Sequence, residues 1–457
     1  MFKKQKLKPL IEDIQFCSNY IKNTKSLRLS FYTVAIYVLF VILCFLFVPF
    51  IIPLEKTVIA NDFRIFYQSA QNILSDPTTL YTSPVYNMPF RYLPLFSLLF
   101  IPYTFIPFEV GFIIHVFLMT IVHIASFYLV LIISIKWFNI SFNSKIKRDM
   151  LYLSLMAPLQ VVLLLIGQIT NIFILMYLVI ILLVENEKNR RYKIRYAYFL
   201  VGLLAGLSIS YKPFAFLLLP FLLTIFFDIS KRRLYIGVKQ ILSASIGFIT
   251  SFSINLVYWI LYPNLIPDFI EINNSSQLLD YPSTSITRIL SVIFNAFSIQ
   301  LSEFTILVGL TLILFGLAFF IYILKPIQLK NYSLFLGMGI LITMITFPDS
   351  WFLNFLICFM LILPGLLKLE DELNVVVSEK KRKTINQTFY IIYKISQYGI
   401  LFFTVGIVLS MTILTFDPIL PFLLIILYII ISWRLLLYIR KKKSLESKTY
   451  LGKDRIN

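Results

Sequence analysis

Uninterrupted apolar runs, such as FYTVAIYVLFVILCFLFVPFII from Phe31 to Ile52, constrain this chain more than any other feature. A helix needs about 20 apolar residues to cross roughly 30 Å of hydrocarbon, and such a run supplies them. Of the 457 residues, 59% are hydrophobic and 14% charged, unlike an ordinary soluble domain. A membrane β-barrel requires alternating segments of about ten residues with polar lumen positions, and continuous Leu, Ile and Phe contradict that pattern. The expected fold is an all-α polytopic membrane protein.

Crossings are expected near residues 31–52, 108–135, 150–166, 169–184, 197–210, 213–228, 237–262, 303–324, 332–346, 351–367, 389–414 and 417–438. These give a bundle of about 12 transmembrane helices over residues 31–438, between basic cytoplasmic tails at 1–30 and 439–457. The segment Leu93 to Pro107, LPLFSLLFIPYTFIP, is short and interrupted by prolines, so it reads as re-entrant or interfacial. Two larger excursions, 53–107 and 263–302, face outward. No internal repeat divides the chain.

Charge supports this topology. The net charge is +19, yet Lys and Arg lie in short connections between spans rather than on one soluble face. They fit the positive-inside rule and give no reason to invoke nucleic acid. Only Lys56, Arg64, Arg91, Lys212 and Arg288 fall in outer segments. Counting Leu93 to Pro107 as a crossing would invert every later loop and place the basic stretches SKIKR and KRR outside. Cys17, Cys44 and Cys358 show no metal-ligand or disulfide spacing. His115 and His123, both in the second crossing, receive no function.

The outer ends of the spans carry the polar motifs. In NDFRIFYQSAQNIL, Asn61 to Leu74, the apolar residues Phe63, Phe66, Tyr67, Ala70, Ile73 and Leu74 recur at helical spacing. This predicts an interfacial helix with Asp62 near its start, Asn61 or Asp62 serving as an N-cap or Asp62 as a chemical group, and Arg64 as a headgroup contact. GQITN, Gly167 to Asn171, brings Gln168 and Asn171 to an apolar turn, where glycine and asparagine also serve turn geometry. Lys212 in SYKPF violates the charge bias and is expected to face an anion. With Arg91 and Arg288 it points to a phosphate group. Asp349 in FPDSWF reads as a helix cap and Trp351 as an interfacial anchor.

The ordered set of these motifs resembles glycosyltransferase family 87, the GT-C type that includes polyprenyl-phosphate-mannose-dependent mannosyltransferases. DFRIFYQSAQNIL is similar to the family's DF..YY.A...L segment, and YTSPVYNMPFRYLPLFSLLFIP to the segment close behind it, with Leu93 replacing the first proline of a pair. GQITN resembles GQ.N, GLLAGLSISYKPFAFLLLPFLL resembles a glycine- and leucine-rich segment with a lysine, and INNSSQ is a loose counterpart of an NQS loop. Where family members often carry SW.H, this chain reads SWFLN and lacks the histidine.

The resemblance implies a GT-C-like bundle and transfer of a hexose, mannose by resemblance, from a polyprenyl-phosphate-linked donor. The acceptor would be a hydroxyl of a lipid, glycan or glycoprotein on the extracytoplasmic side of the plasma membrane. Asp62 would be the general base, ionised at a wet interface. Lys212, Arg288 and Arg91 would bind the donor phosphate, with Gln168, Asn171, Tyr67, Tyr92, Asn274 and Trp351 as substrate contacts. A phosphate leaving group needs no second carboxyl group to protonate it, unlike the alkoxide in glycoside hydrolysis. No cofactor or metal is required by this scheme. The rival reading is a transporter or flippase, although such proteins commonly have repeated halves and mid-membrane charges.

Overall fold

The computed structural model describes residues 2–83, 90–189, 192, 194–228, 232–274, 285–324, 332–348, 350, 353–374, 387, 391 and 420–453. The described chain is predominantly helical. Its helices are α1 (Phe2–Asn23), α2 (Lys25–Phe47), α3 (Asn61–Ser75), α4 (Pro94–Phe100), α5 (Phe108–Leu131), α6 (Lys145–Leu155), α7 (Leu159–Ile166) and α8 (Thr170–Asn189). They continue as α9 (Ala197–Tyr211), α10 (Val238–Leu261), α11 (Leu265–Asn274), α12 (Ile286–Ala296), α13 (Glu303–Leu324), α14 (Tyr332–Thr346), α15 (Asn354–Asn374) and α16 (Leu420–Lys453).

Seven helical stretches among the described residues are long and apolar enough to cross a bilayer: Lys25–Phe50, Phe108–Trp137, Lys145–Ile166, Thr170–Glu187, Val238–Leu261, Glu303–Leu324 and Pro421–Arg440. They coincide with seven of the expected crossings. Three of them leave much of their apolar surface uncovered, including Ile36 and Leu39 on α2, Ile249 and Ile260 on α10, and Leu312 and Ile313 on α13. Such faces suit hydrocarbon, where backbone groups must be paired within the helix itself.

The other expected crossings differ. The segments 197–210 and 332–346 form the 15-residue helices α9 and α14, each about 22 Å long at the helical rise. All of α14 is buried, which makes it a central strut rather than a lipid-facing span. The segment 351–367 runs into α15, whose last turns carry Lys368, Glu370, Asp371 and Glu372. The segment 389–414 lies outside the described residues.

The expected helix over 213–228 is not one helix. Pro213 and Pro220 each lack the N–H that an α-helix would use, and Pro213–Leu222 instead forms a 3₁₀ helix, spanning about 20 Å. The chain then turns into an antiparallel hairpin, Ile225–Asp228 against Arg233–Ile236, with Phe226 stacked on Tyr235.

The basic N-terminal segment is also more than a tail. It forms α1, which buries Asp13 and Cys17, and the Tyr192 hydroxyl donates to Asp13 Oδ2 at 2.6 Å. The proline-interrupted segment at 93–107 forms α4 and a following 3₁₀ turn, Ile101–Phe105. Pro94–Phe105 is too short to span a bilayer. Leu93, at the N-cap position of α4, offers no side-chain acceptor, and the first-turn N–H of Leu95 donates instead to Asn255 Oδ1 of α10 at 2.9 Å. Asn255 Nδ2 donates in turn to Ser210 Oγ at 2.7 Å. A fully buried amide thereby pins α4 to α9 and α10.

Candidate active site

Two helix ends meet at the centre of the site. Helix α7 closes with a Schellman motif, in which the Gly167 N–H donates to the Leu164 carbonyl and the Gln168 N–H to the Leu163 carbonyl. Gly167 holds φ +76°, the left-handed region that favours glycine. Close approach adds a second requirement, because a Cβ there would lie 2.5 Å from Phe63 Cβ. The carbonyl of Leu165, left over at the end of α7, accepts from the Ala60 N–H at 2.8 Å.

Ala60, with φ 57°, is the N-cap of α3, so neither Asn61 nor Asp62 occupies the cap position considered from sequence. Asp62 lies in the first helical turn and its side chain has another use. Gln168 Nε2 donates to Asp62 Oδ2 at 2.5 Å, while Gln168 Oε1 accepts from the Ile169 N–H at 2.9 Å. Both ends of the amide are therefore fixed. The Gln168 side chain and the Asp62 charge both act on the nearby Tyr92 phenol.

The electrostatics differ from the expected wet interface. Asp62 is half-buried, and desolvation raises its carboxyl from the ordinary 3.8 to about 7, with the Lys212 charge pulling in the opposite direction. Lys212 is 8% exposed, with Nζ 5.8 Å from the centre of the Phe214 ring. Burial lowers its ammonium from 10.5 to about 8, and Asp62 partly offsets the loss. The two groups are thus an electrostatically coupled pair set between the end of α9 and the start of α3. Burial first, and then the Asp62 charge, raise the Tyr92 phenol so that it stays protonated.

Arg91 adjoins Tyr92 and acts on it electrostatically. Arg288 is only 4% exposed in the first turn of α12. There Ser285 Oγ donates to the Thr346 carbonyl at 3.1 Å and Thr287 Oγ1 donates to the same oxygen, fastening α12 to the end of α14. Phe335 stacks on Phe221, and Gly339 backs onto Leu218, so α14 runs antiparallel to the 3₁₀ helix that follows Lys212. Lys212 and Thr346, and with Thr346 the base of Arg288, consequently lie at the same end of the bundle.

Other residues expected as contacts have partners within the fold. Asn171 is fully buried, and its Nδ2 donates to the Met119 carbonyl at 3.2 Å, tying α8 to α5. The Tyr67 hydroxyl donates to the Ile106 carbonyl at 3.2 Å, and its ring packs edge-on against Phe108. Arg64 lies with its guanidinium 5.9 Å from the centre of the Phe108 ring. Asn274 ends α11, with its side chain outside the described residues; Asp349 and Trp351 also lie outside them. Among the described residues, no group of three or more His, Cys, Asp or Glu side chains is placed to hold a metal ion.

Sequence reasoning gave His115 no function and passed over Asn255. Each sits in a mostly apolar helix, where its distant partners leave no spacing signal.

The family model of glycosyltransferase family 87 matches residues 90–348, more than half of the chain. The match spans Arg91, Tyr92, Gln168, Lys212 and Arg288 and begins after Asp62. Comparison with curated proteins returned no match.

Proposed function

The chain belongs to glycosyltransferase family 87, and from that premise we propose that it transfers a hexose, mannose by family resemblance, from a polyprenyl-phosphate-linked donor to an acceptor hydroxyl. The observation that carries this reading is the convergence of Asp62, Gln168 and Lys212 at one end of the bundle. The charge bias of the loops between the expected crossings favours the extracytoplasmic side of the cell membrane for that end, with both termini inside.

Asp62 acts as general base. The acceptor oxygen attacks the anomeric carbon as its proton passes to the Asp62 carboxylate, and the bond from that carbon to the phosphate oxygen breaks. The leaving group departs as polyprenyl phosphate and keeps the bonding electron pair. Burial, which raises the carboxyl to about 7, makes Asp62 a stronger proton acceptor than an exposed aspartate while leaving much of it ionised near neutrality. Gln168 fixes one carboxylate oxygen, which leaves the other for the acceptor proton.

Lys212 stabilises the charge that develops on the leaving phosphate. A buried ammonium in low-dielectric surroundings does so more strongly than a hydrated one. Arg288 and Arg91 add to the same anionic subsite, and Tyr92 contributes a protonated phenol beside Asp62. No step in this scheme requires a metal.

Purified protein in liposomes, given a polyprenyl-phosphate hexose and a panel of glycolipid, glycan and glycopeptide acceptors, tests the reading. A glycosidic product that depends on both Asp62 and Lys212 supports it. Transfer only from nucleotide-sugar donors, or solute flux without product, overturns it.

A further inference from the structure

His115 lies about two turns into the apolar helix α5, yet both of its ring nitrogens are engaged. Nε2 is 3.1 Å from the Gly167 carbonyl oxygen, and Nδ1 is 3.3 Å from the Tyr103 hydroxyl. A carbonyl oxygen only accepts, so in the neutral imidazole Nε2 carries the proton and donates to it. Nδ1 is then the acceptor, and the Tyr103 hydroxyl donates to it. Burial raises the Tyr103 phenol to about 12, which keeps that donor in place. The hydroxyl of one residue thereby sets the tautomer of the next.

The ring also touches the other side of the site. Its centre is 5.0 Å from that of Phe63, whose Cβ packs against the bare face of Gly167. His115 therefore contacts the residue that follows Asp62 and the residue that precedes Gln168.

We propose that His115 is a positioning residue, which clamps the Gly167 turn against α3 and so holds the Gln168 amide on the Asp62 carboxylate. The inference rests on the reading of Asp62 as general base. Without the Nε2–H donor, the Gly167–Gln168 peptide keeps only the bond from the Gln168 N–H to the Leu163 carbonyl, and tilting of the peptide about that bond carries Gln168 with it. A displacement of about 1 Å at such a contact is enough to lower turnover about a hundredfold. The Gln168 amide also favours the charged carboxylate, so its loss moves the Asp62 titration to higher pH. Lys212, Tyr92 and Arg91 also face that carboxylate or its neighbour, and Arg64 lies further along the first turn of α3, with Glu55 of the preceding 3₁₀ turn acting on it. None of them is altered by a change at His115.

The test compares His115→Gln with His115→Asn, using His115→Phe as the full deletion and pH profiles of kcat as the readout. A glutamine amide reaches the position of Nε2, whereas an asparagine amide falls short of the Gly167 oxygen. The expected result is near-normal turnover for His115→Gln. For His115→Asn and His115→Phe, kcat falls about 10- to 100-fold with little change in donor KM, and the acidic limb moves upward.

Equal turnover and equal acidic limbs in the Gln and Asn variants would overturn the inference, even if the Phe variant did not fold. A loss of turnover with an unmoved limb would also overturn it, as the mark of a purely structural role. Asp62→Asn assayed alongside separates the two ideas: full activity there ends the general-base reading, whereas inactivity there with unaffected His115 variants ends only this one.

Discussion

Gln168 Nε2 donates to Asp62 Oδ2 at 2.5 Å across 106 positions of sequence. The contact joins the end of α7 to the start of α3, and the backbone bond from Ala60 to Leu165 lies beside it. Hydrogen bonds to charged groups contribute about 1.5–3 kcal/mol. Gln168→Leu should therefore lower kcat/KM about 10- to 100-fold. Because the amide stabilises the carboxylate, its removal should also shift the acidic limb of kcat/KM upward. A pH series from 5 to about 9 measures both effects.

The coupled pair predicts a narrow bell. The base must be unprotonated, so activity rises as pH passes about 7, and the ammonium must be protonated, so activity falls as pH passes about 8. Lys212→Met removes the cation that lowers the Asp62 titration. The acidic limb should then move to higher pH, the alkaline limb should disappear, and kcat should drop about 10²–10³-fold. Unchanged limbs in Lys212→Met would show that the two groups do not interact.

Gly167→Ala should be severe despite adding one methyl group. It forces an L side chain to φ +76° and places Cβ 2.5 Å from Phe63 Cβ. Helix α3 has to shift away from the turn, and the contact between Gln168 and Asp62 should open. Turnover should fall at least as far as in Gln168→Leu, together with a lower melting temperature in detergent. Retention of both would contradict the close packing of these helix ends.

Asn255→Ala tests the seat of α4 rather than the chemistry. The buried Leu95 N–H and Ser210 hydroxyl would lose their amide partner, at a cost of about 1–3 kcal/mol in unsatisfied polar groups. Reduced thermal stability is expected, with a smaller effect on turnover than that of Gln168→Leu. The ratio of melting shift to kcat loss distinguishes this variant from those at the site.

The apolar runs made the membrane class legible, since about 20 such residues in sequence leave little choice of structure. The helical spacing of Phe63, Phe66, Ala70 and Ile73 likewise gave α3, because all four pack inward. The run at 213–228 misled because hydrophobicity is blind to hydrogen bonding. Pro213 and Pro220 convert a helical pattern into a 3₁₀ segment and a hairpin.

At the site, Asp62, Gln168 and Lys212 stood out as polar residues at the ends of apolar runs. Their partnerships did not, because a hydrogen bond between residues 106 positions apart leaves no local pattern. The raised carboxyl followed the same rule. Sequence placed Asp62 at a wet boundary, whereas packing of α3 against the Gly167 turn half-buries it.

The most direct measurement is turnover by Asp62→Asn with a polyprenyl-phosphate hexose donor in liposomes. Ala60, not Asp62, is the N-cap of α3, and an asparagine carbonyl still accepts from Gln168, so the variant should fold and keep its place in the site. It can neither take a proton nor supply the charge that partly holds up the Lys212 ammonium, and kcat should fall about 10²–10⁴-fold. Wild-type turnover by a folded Asp62→Asn protein would contradict the central claim.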